Sequence, residues 1–122
     1  MPTSADFDTV FNELKTILQP YARRMVVVAD SDDNYHLDTA RAIRNNKGIF
    51  FGAVRRGKAY VSFHLMPVYV CPDLLQAMSP ELKKRMQGKS CFNFKAADAE
   101  RFKELAQLTQ AGFARFKSRG YV

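Results

Sequence analysis

Phe7, Val10, Phe11, Leu14, Ile17 and Leu18 recur at steps of three and four residues, the spacing that gathers side chains on one face of a helix. Ser4 and Asp6 are the cap residues available at its start, and Pro20 ends or kinks it because a proline nitrogen cannot donate to the preceding turn. A second stripe of the same period, Phe102, Leu105, Leu108, Thr109, Gly112, Phe113 and Phe116, predicts a long closing helix that begins at an Asp98 turn and ends at Gly120.

Between these stripes the period shortens. Residues 25–29 form a β-branched run followed by Ser31, Asp32, Asp33 and Asn34, which predicts a strand, a turn and a return strand over 35–39. Residues 40–48 are polar and basic, with Asn45, Asn46, Lys47 and Gly48 reading as a loop. Residues 49–54 and 59–65 then predict a hairpin, joined by Arg55, Arg56, Gly57 and Lys58, with the glycine supplying a positive φ. Pro67 cannot donate to a central ladder, so 66–70 reads as an edge or exit segment. Pro72 and Pro80, behind Cys71 and Ser79, read as first helical positions; the second helix carries the basic residues of 82–89 and stops at Gly88. Residues 90–94 predict the last strand. Helices and strands are thus segregated along the chain, which argues for an α+β fold with a mainly antiparallel sheet of four to five strands and the N-terminal and C-terminal helices on one face. With 122 residues and no internal repeat or linker, one domain is expected.

Composition narrows the function classes. At 47% hydrophobic and 25% charged residues the chain has the profile of an ordered globule. It has no apolar run near the ~20 residues of a membrane helix and no secretory start, so a cytoplasmic protein with no membrane partner is expected. Cys71 and Cys91 lack the spacing of a zinc or redox motif and are expected as free thiols. The net charge of +7 is unevenly placed: residues 39–72 contain six basic groups and no acid, whereas residues 1–38 contain three basic groups and seven acids. Such a field favours an anionic partner, whether a small ligand, a nucleic acid or an acidic protein.

No complete catalytic or cofactor motif accompanies this charge, and no cofactor is expected. Gly88, Lys89 and Ser90 end like a phosphate-binding loop, but that loop needs glycine at position 83, which is Lys83, and a helix after the serine. Asp30, Asp32 and Asn34 occupy the first, third and fifth places of a calcium loop whose sixth and twelfth places hold Tyr35 and Arg41, so a turn is the simpler reading. The strongest anion-binding candidates are Arg55, Arg56 and Lys58 at the hairpin, with Lys83, Lys84, Arg85 and Lys89 beyond it. Phe92 and Phe94 either stack on bases there or, sharing one strand face, pack in the core. His64 alternates with Tyr60 and Ser62 on the more polar face of its strand, and with Cys71 or Cys91 these residues outline a pocket for Cys–His chemistry or for simple hydrogen bonding.

Phe51-Gly52-Ala53-Val54, the run from Tyr60 to Tyr69 and the run from Arg85 to Phe94 together resemble small bacterial proteins of the YdhG-like group. That group has no established catalytic motif, so the resemblance transfers no functional residue; it has been likened to frataxin, an α+β protein that handles iron. The likeness implies the fold read above and, as an alternative function, an iron chaperone. Frataxin-type iron binding depends on a dense acidic ridge, whereas the first helix here offers Asp6, Asp8 and Glu13, and Asp30, Asp32, Asp33 and Asp38 are the remaining carboxylate candidates for a metal. The expectation is a small binding or interaction domain acting without catalysis through its basic surface, with iron delivery or a Cys/His enzyme as alternatives.

Overall fold

A computed structural model describes residues 4–40, 48–88 and 90–122, without the side chains of residues 4–6. Helix α1 (Ser4–Leu18) runs through a 3-10 turn (Gln19–Arg24) into strand β1 (Met25–Asp30), followed by β2 (Asn34–Thr39), β3 (Phe50–Arg56) and β4 (Val61–Leu65). Two short helices, α2 (Met66–Val70) and α3 (Pro80–Lys83), flank a second 3-10 turn (Pro72–Ala77) before strand β5 (Cys91–Phe94) and the long helix α4 (Ala99–Ser118). The five strands lie in chain order, each antiparallel to the next. The fold is α+β, with α1 and α4 packed together over one sheet face.

The expected apolar stripes line the core. Val10, Leu14 and Leu18 of α1 and Leu105, Leu108 and Phe116 of α4 are essentially inaccessible, and meet Leu37, Val54, Val61, Phe63, Leu65, Phe92 and Phe94 from the sheet. Phe92 and Phe94 therefore belong to the core and are closed to a ligand. Asp98 caps α4 through its carboxylate to the Arg101 amide, and Gly120, at φ +78°, closes the helix as Tyr121 N donates to Phe116 O.

Several local expectations are corrected. Residues 66–70 form a helix: Pro67 sits in its first turn, where a missing donor costs nothing, and is buried. The helix at Pro80 ends at Lys83, so the basic residues beyond it are not helical. The positive-φ glycines are Gly88 and Gly120, not Gly57. The loop expected over 45–48 lies outside the described residues except for Gly48, as does Lys89.

Register determines which side chains reach the uncovered sheet face. Leu37 pairs with Gly52 but Asp38 pairs with Phe50, leaving Phe51 as an inserted residue in β3. The bulge lets Phe51 enter the helical layer against Tyr21, Phe113 and Phe116, while Phe50 meets His36 on the other side, with ring centroids 4.8 Å apart. By the two-residue alternation of strands, the helix-free face carries His36 and Asp38 from β2, Phe50, Ala53 and Arg55 from β3, Ser62 and His64 from β4, and Cys91 and Asn93 from β5.

Candidate anion site on the open sheet face

The polar end of the site is built by a ribbon that follows α3. Ser79 caps α3, its hydroxyl accepting from Leu82 N at 3.2 Å. The same residue donates to Glu104 of α4 twice, from its hydroxyl at 2.7 Å and from its backbone amide at 3.0 Å. The Arg101 guanidinium forms an ion pair with the same carboxylate, its Nε 2.8 Å from the Oε1 that accepts the Ser79 hydroxyl. Burial acts to raise the Glu104 carboxyl, but the Ser79 hydrogen bonds and the Arg101 charge prevail and hold it below its ordinary range. With Leu82 fully buried, α3 is pinned to α4 from two sides.

From this anchor, residues 85–87 run beside β5 as an extra ribbon. Asn93 N donates to Arg85 O at 2.8 Å, Gln87 N donates to Cys91 O at 3.0 Å, and Met86 forms an antiparallel bridge with Phe92. Gly88, at φ +83°, occupies the turn that reverses the chain into β5. This layout brings Lys84, Arg85 and Gln87 against Asn93 and Lys95 of the β5 segment and Tyr60 at the entrance to β4. The six residues line a cleft of ≈260 Å³. No carboxylate lines it, and among the described residues no ion pair involves Lys84, Arg85 or Lys95. The Arg85 guanidinium lies 6.0 Å from the Phe94 ring centroid, a cation–π contact that does not use its N–H donors.

A row of register partners leads from this cleft across the sheet. Arg55 pairs with Ser62, which pairs with Asn93, and Ser62 Oγ donates to Asn93 Oδ1 at 2.8 Å. In the next row Ala53 pairs with His64 and His64 with Cys91. Cys91 Sγ stands 3.8 Å from His64 Nε2 and 3.4 Å from Asn93 Oδ1. Burial lowers the His64 pKa, with the Arg55 and His36 charges adding to the shift; burial also raises the Cys91 thiol against a smaller opposing hydrogen bond from Ser62. At neutral pH the two therefore meet as neutral imidazole and thiol, and the thiolate that does nucleophilic work is disfavoured. Beside them, His36, Phe50, Ala53, Arg55 and His64 line a second cleft of ≈150 Å³.

The remaining candidates lie elsewhere. Arg56 pairs with Asp8 of α1 at 2.6 Å, so its charge is engaged at the helical side. Lys58 is exposed in the hairpin turn and Lys83 is exposed on α3; neither lines the cleft. Cys71 is 2% exposed and sits in the helical layer beside Arg115, separated from the His64 face. The acidic residues do not converge: Asp30 pairs with Lys15 at 2.7 Å, Asp33 accepts from Ser31 at 2.9 Å, Asp32 faces Lys15 and Arg56 across a separate groove, and Asp38 pairs with His36 at 2.7 Å. Among the described residues no three His, Cys, Asp or Glu side chains have metal-binding geometry. Lys95, Gln87, Asn93 and Phe50 are site residues that sequence reasoning passed over, because only the strand register brings them to the others. No helix among the described residues is long and apolar enough to cross a membrane.

No protein-family model matches this chain, and neither curated proteins nor solved structures give a significant match to it.

Proposed function

We propose that this domain is a binding module for a phosphate-bearing anion, held in the cleft between the 84–87 ribbon and the end of the sheet. The observation that carries the reading is the convergence of Lys84, Arg85 and Lys95 on one concave site with no carboxylate to neutralise them. Uncompensated cations at close range repel one another, an electrostatic cost that an anion removes. Arg85 offers a planar fork of donors matched to phosphate oxygens, and the lysines add point charges. Tyr60, Gln87 and Asn93 supply neutral hydrogen-bonding groups that orient the ligand. A ligand-binding role is favoured over iron delivery because the carboxylates Asp30, Asp32, Asp33 and Asp38 are dispersed, with Asp30 held by Lys15 and Asp38 by His36.

The test is calorimetric titration with inorganic pyrophosphate. Saturable binding is expected, and the combined Lys84→Glu, Arg85→Glu and Lys95→Glu variant should weaken it at least about tenfold, about 1.4 kcal/mol. Lys103→Glu, an exposed charge reversal on α4, serves as the control and should leave it unchanged. Absence of saturable binding, or an equal loss in the control, rejects the reading.

A further inference from the structure

We infer that the open sheet face binds single-stranded nucleic acid, with a backbone phosphate in the Lys84–Arg85–Lys95 cleft and a base against Phe50, His36 and His64. The inference rests on the anion reading above and assigns the chemistry of the rest of the ligand.

Three observations point to a strand of nucleotides. The two clefts share one face and are joined by the Arg55–Ser62–Asn93 row, whose ends are two strand spacings, roughly 10 Å, apart. That separation places a phosphate and a base of the same or the adjoining nucleotide in the two clefts. The second cleft offers flat π surfaces: Phe50 and His36 lie in contact at an interplanar angle of 56°, and His64 closes the other wall. Its ≈150 Å³ suits one planar heterocycle. Arg55 lines this cleft and has no ion pair among the described residues, so it adds a fourth cation along the path.

The polar groups between the clefts favour the same ligand. Asn93 is half-buried and its Oδ1 is held by the buried Ser62 hydroxyl, which leaves its amide nitrogen to meet base edges or a 2′-hydroxyl. On this face Ala53 and Ser62 are buried beneath their neighbours, while Arg55 is exposed and His36, Phe50, His64 and Asn93 are half-buried, so the side chains of the antiparallel strands form a platform on which unstacked bases can lie. A duplex keeps its bases stacked internally and cannot present one to Phe50. The surface therefore discriminates by strandedness, through stacking and charge, without a side-chain code for sequence.

Fluorescence anisotropy with a labelled ten-nucleotide uridine RNA tests this, alongside pyrophosphate titration of the same proteins. The wild-type protein should bind the RNA with a log–log salt slope of about −2 to −3, the value for three to four neutralised phosphates on a single strand. A duplex of equal length should bind more weakly. Phe50→Leu should lower RNA affinity about five- to a hundredfold, the loss of one stacked base, while leaving pyrophosphate binding intact. Because Phe50 is only half-buried, the variant's circular dichroism and melting curve establish that it is folded, and Arg55→Gln gives a second, purely surface variant with the same expected direction. RNA binding unaffected by both substitutions, or duplex binding as tight as single-strand binding, overturns the inference while leaving the anion site standing. Loss of pyrophosphate binding by the wild type removes both.

Discussion

Replacing glycine by alanine inside a helix ordinarily stabilises it by about 1 kcal/mol, but at Gly112 the environment reverses the sign. A Cβ there would stand 2.7 Å from Pro67 Cβ and 3.0 Å from Pro67 Cγ, closer than packed carbon atoms tolerate. Pro67 cannot swing away, since its ring is part of the α2 backbone and is itself buried. Gly112→Ala should therefore destabilise the protein by about 1–3 kcal/mol, the usual range for overpacking, read as a lower urea midpoint at constant m-value. A stabilised variant would mean that α2 yields at this contact. Gly88 poses the opposite case: a Cβ meets nothing within 4 Å, and only its positive φ constrains it.

Among the elements, α3 matters beyond its four residues because it carries the ribbon of the anion cleft. Its attachment depends on Glu104, whose carboxylate accepts both the Ser79 amide and hydroxyl. Glu104→Ala leaves both Ser79 donors without their partner, although Arg101 keeps Glu100 at 3.0 Å, and should cost about 1.5–3 kcal/mol, as for hydrogen bonds to a charged group. It should also weaken pyrophosphate binding although Glu104 does not line the cleft. Thermal melts and the pyrophosphate titration check both; an unchanged affinity would show that the ribbon keeps its place without this anchor. The same elements explain how far the sequence could be read. The stripes of α1 and α4 were legible because each apolar residue has its neighbour three or four places away. The face carrying Ser62 and His64 was legible from alternation alone. The short helix at Met66 was not, because a proline that argues against a strand fits a helix's first turn equally well. The site was legible only in part: Lys84 and Arg85 stand out by charge, but Lys95 and Tyr60 join them through the pairing of Val61 with Phe94, and Phe50 reaches the open face through the bulge at Phe51. Such contacts are set by register, which is a property of two strands at once.

At the scale of the whole molecule, the open face and the helical layer together set the pH range of stability. Burial lowers His64 from its ordinary 6.5, so between its folded pKa and 6.5 the unfolded chain binds more protons and folding weakens as the pH falls. Asp73, hydrogen-bonded to Arg115, and Glu104, held by Ser79, both have lowered pKa values. Their contribution is present above the unfolded values of 3.8 and 4.5 and is lost as the pH drops through the folded ones. On the alkaline side burial raises Cys91 above 9.0 and Tyr21 and Tyr35 above 10.0, so the folded state keeps protons that the unfolded chain releases, and stability declines as the pH rises past those values. Stability should accordingly form a plateau between about pH 7 and 8.5, with an acid limb in two stages: a shallow one beginning below pH 6.5 and a steeper one below about pH 4.5. Urea unfolding across this range reads the profile directly. His64→Asn should remove the first stage, since asparagine does not titrate, and leave the second in place. If the shallow stage persists in that variant, the proton taken up on mild acid unfolding belongs to another group, and the half-buried neutral imidazole beside Cys91 is not its source.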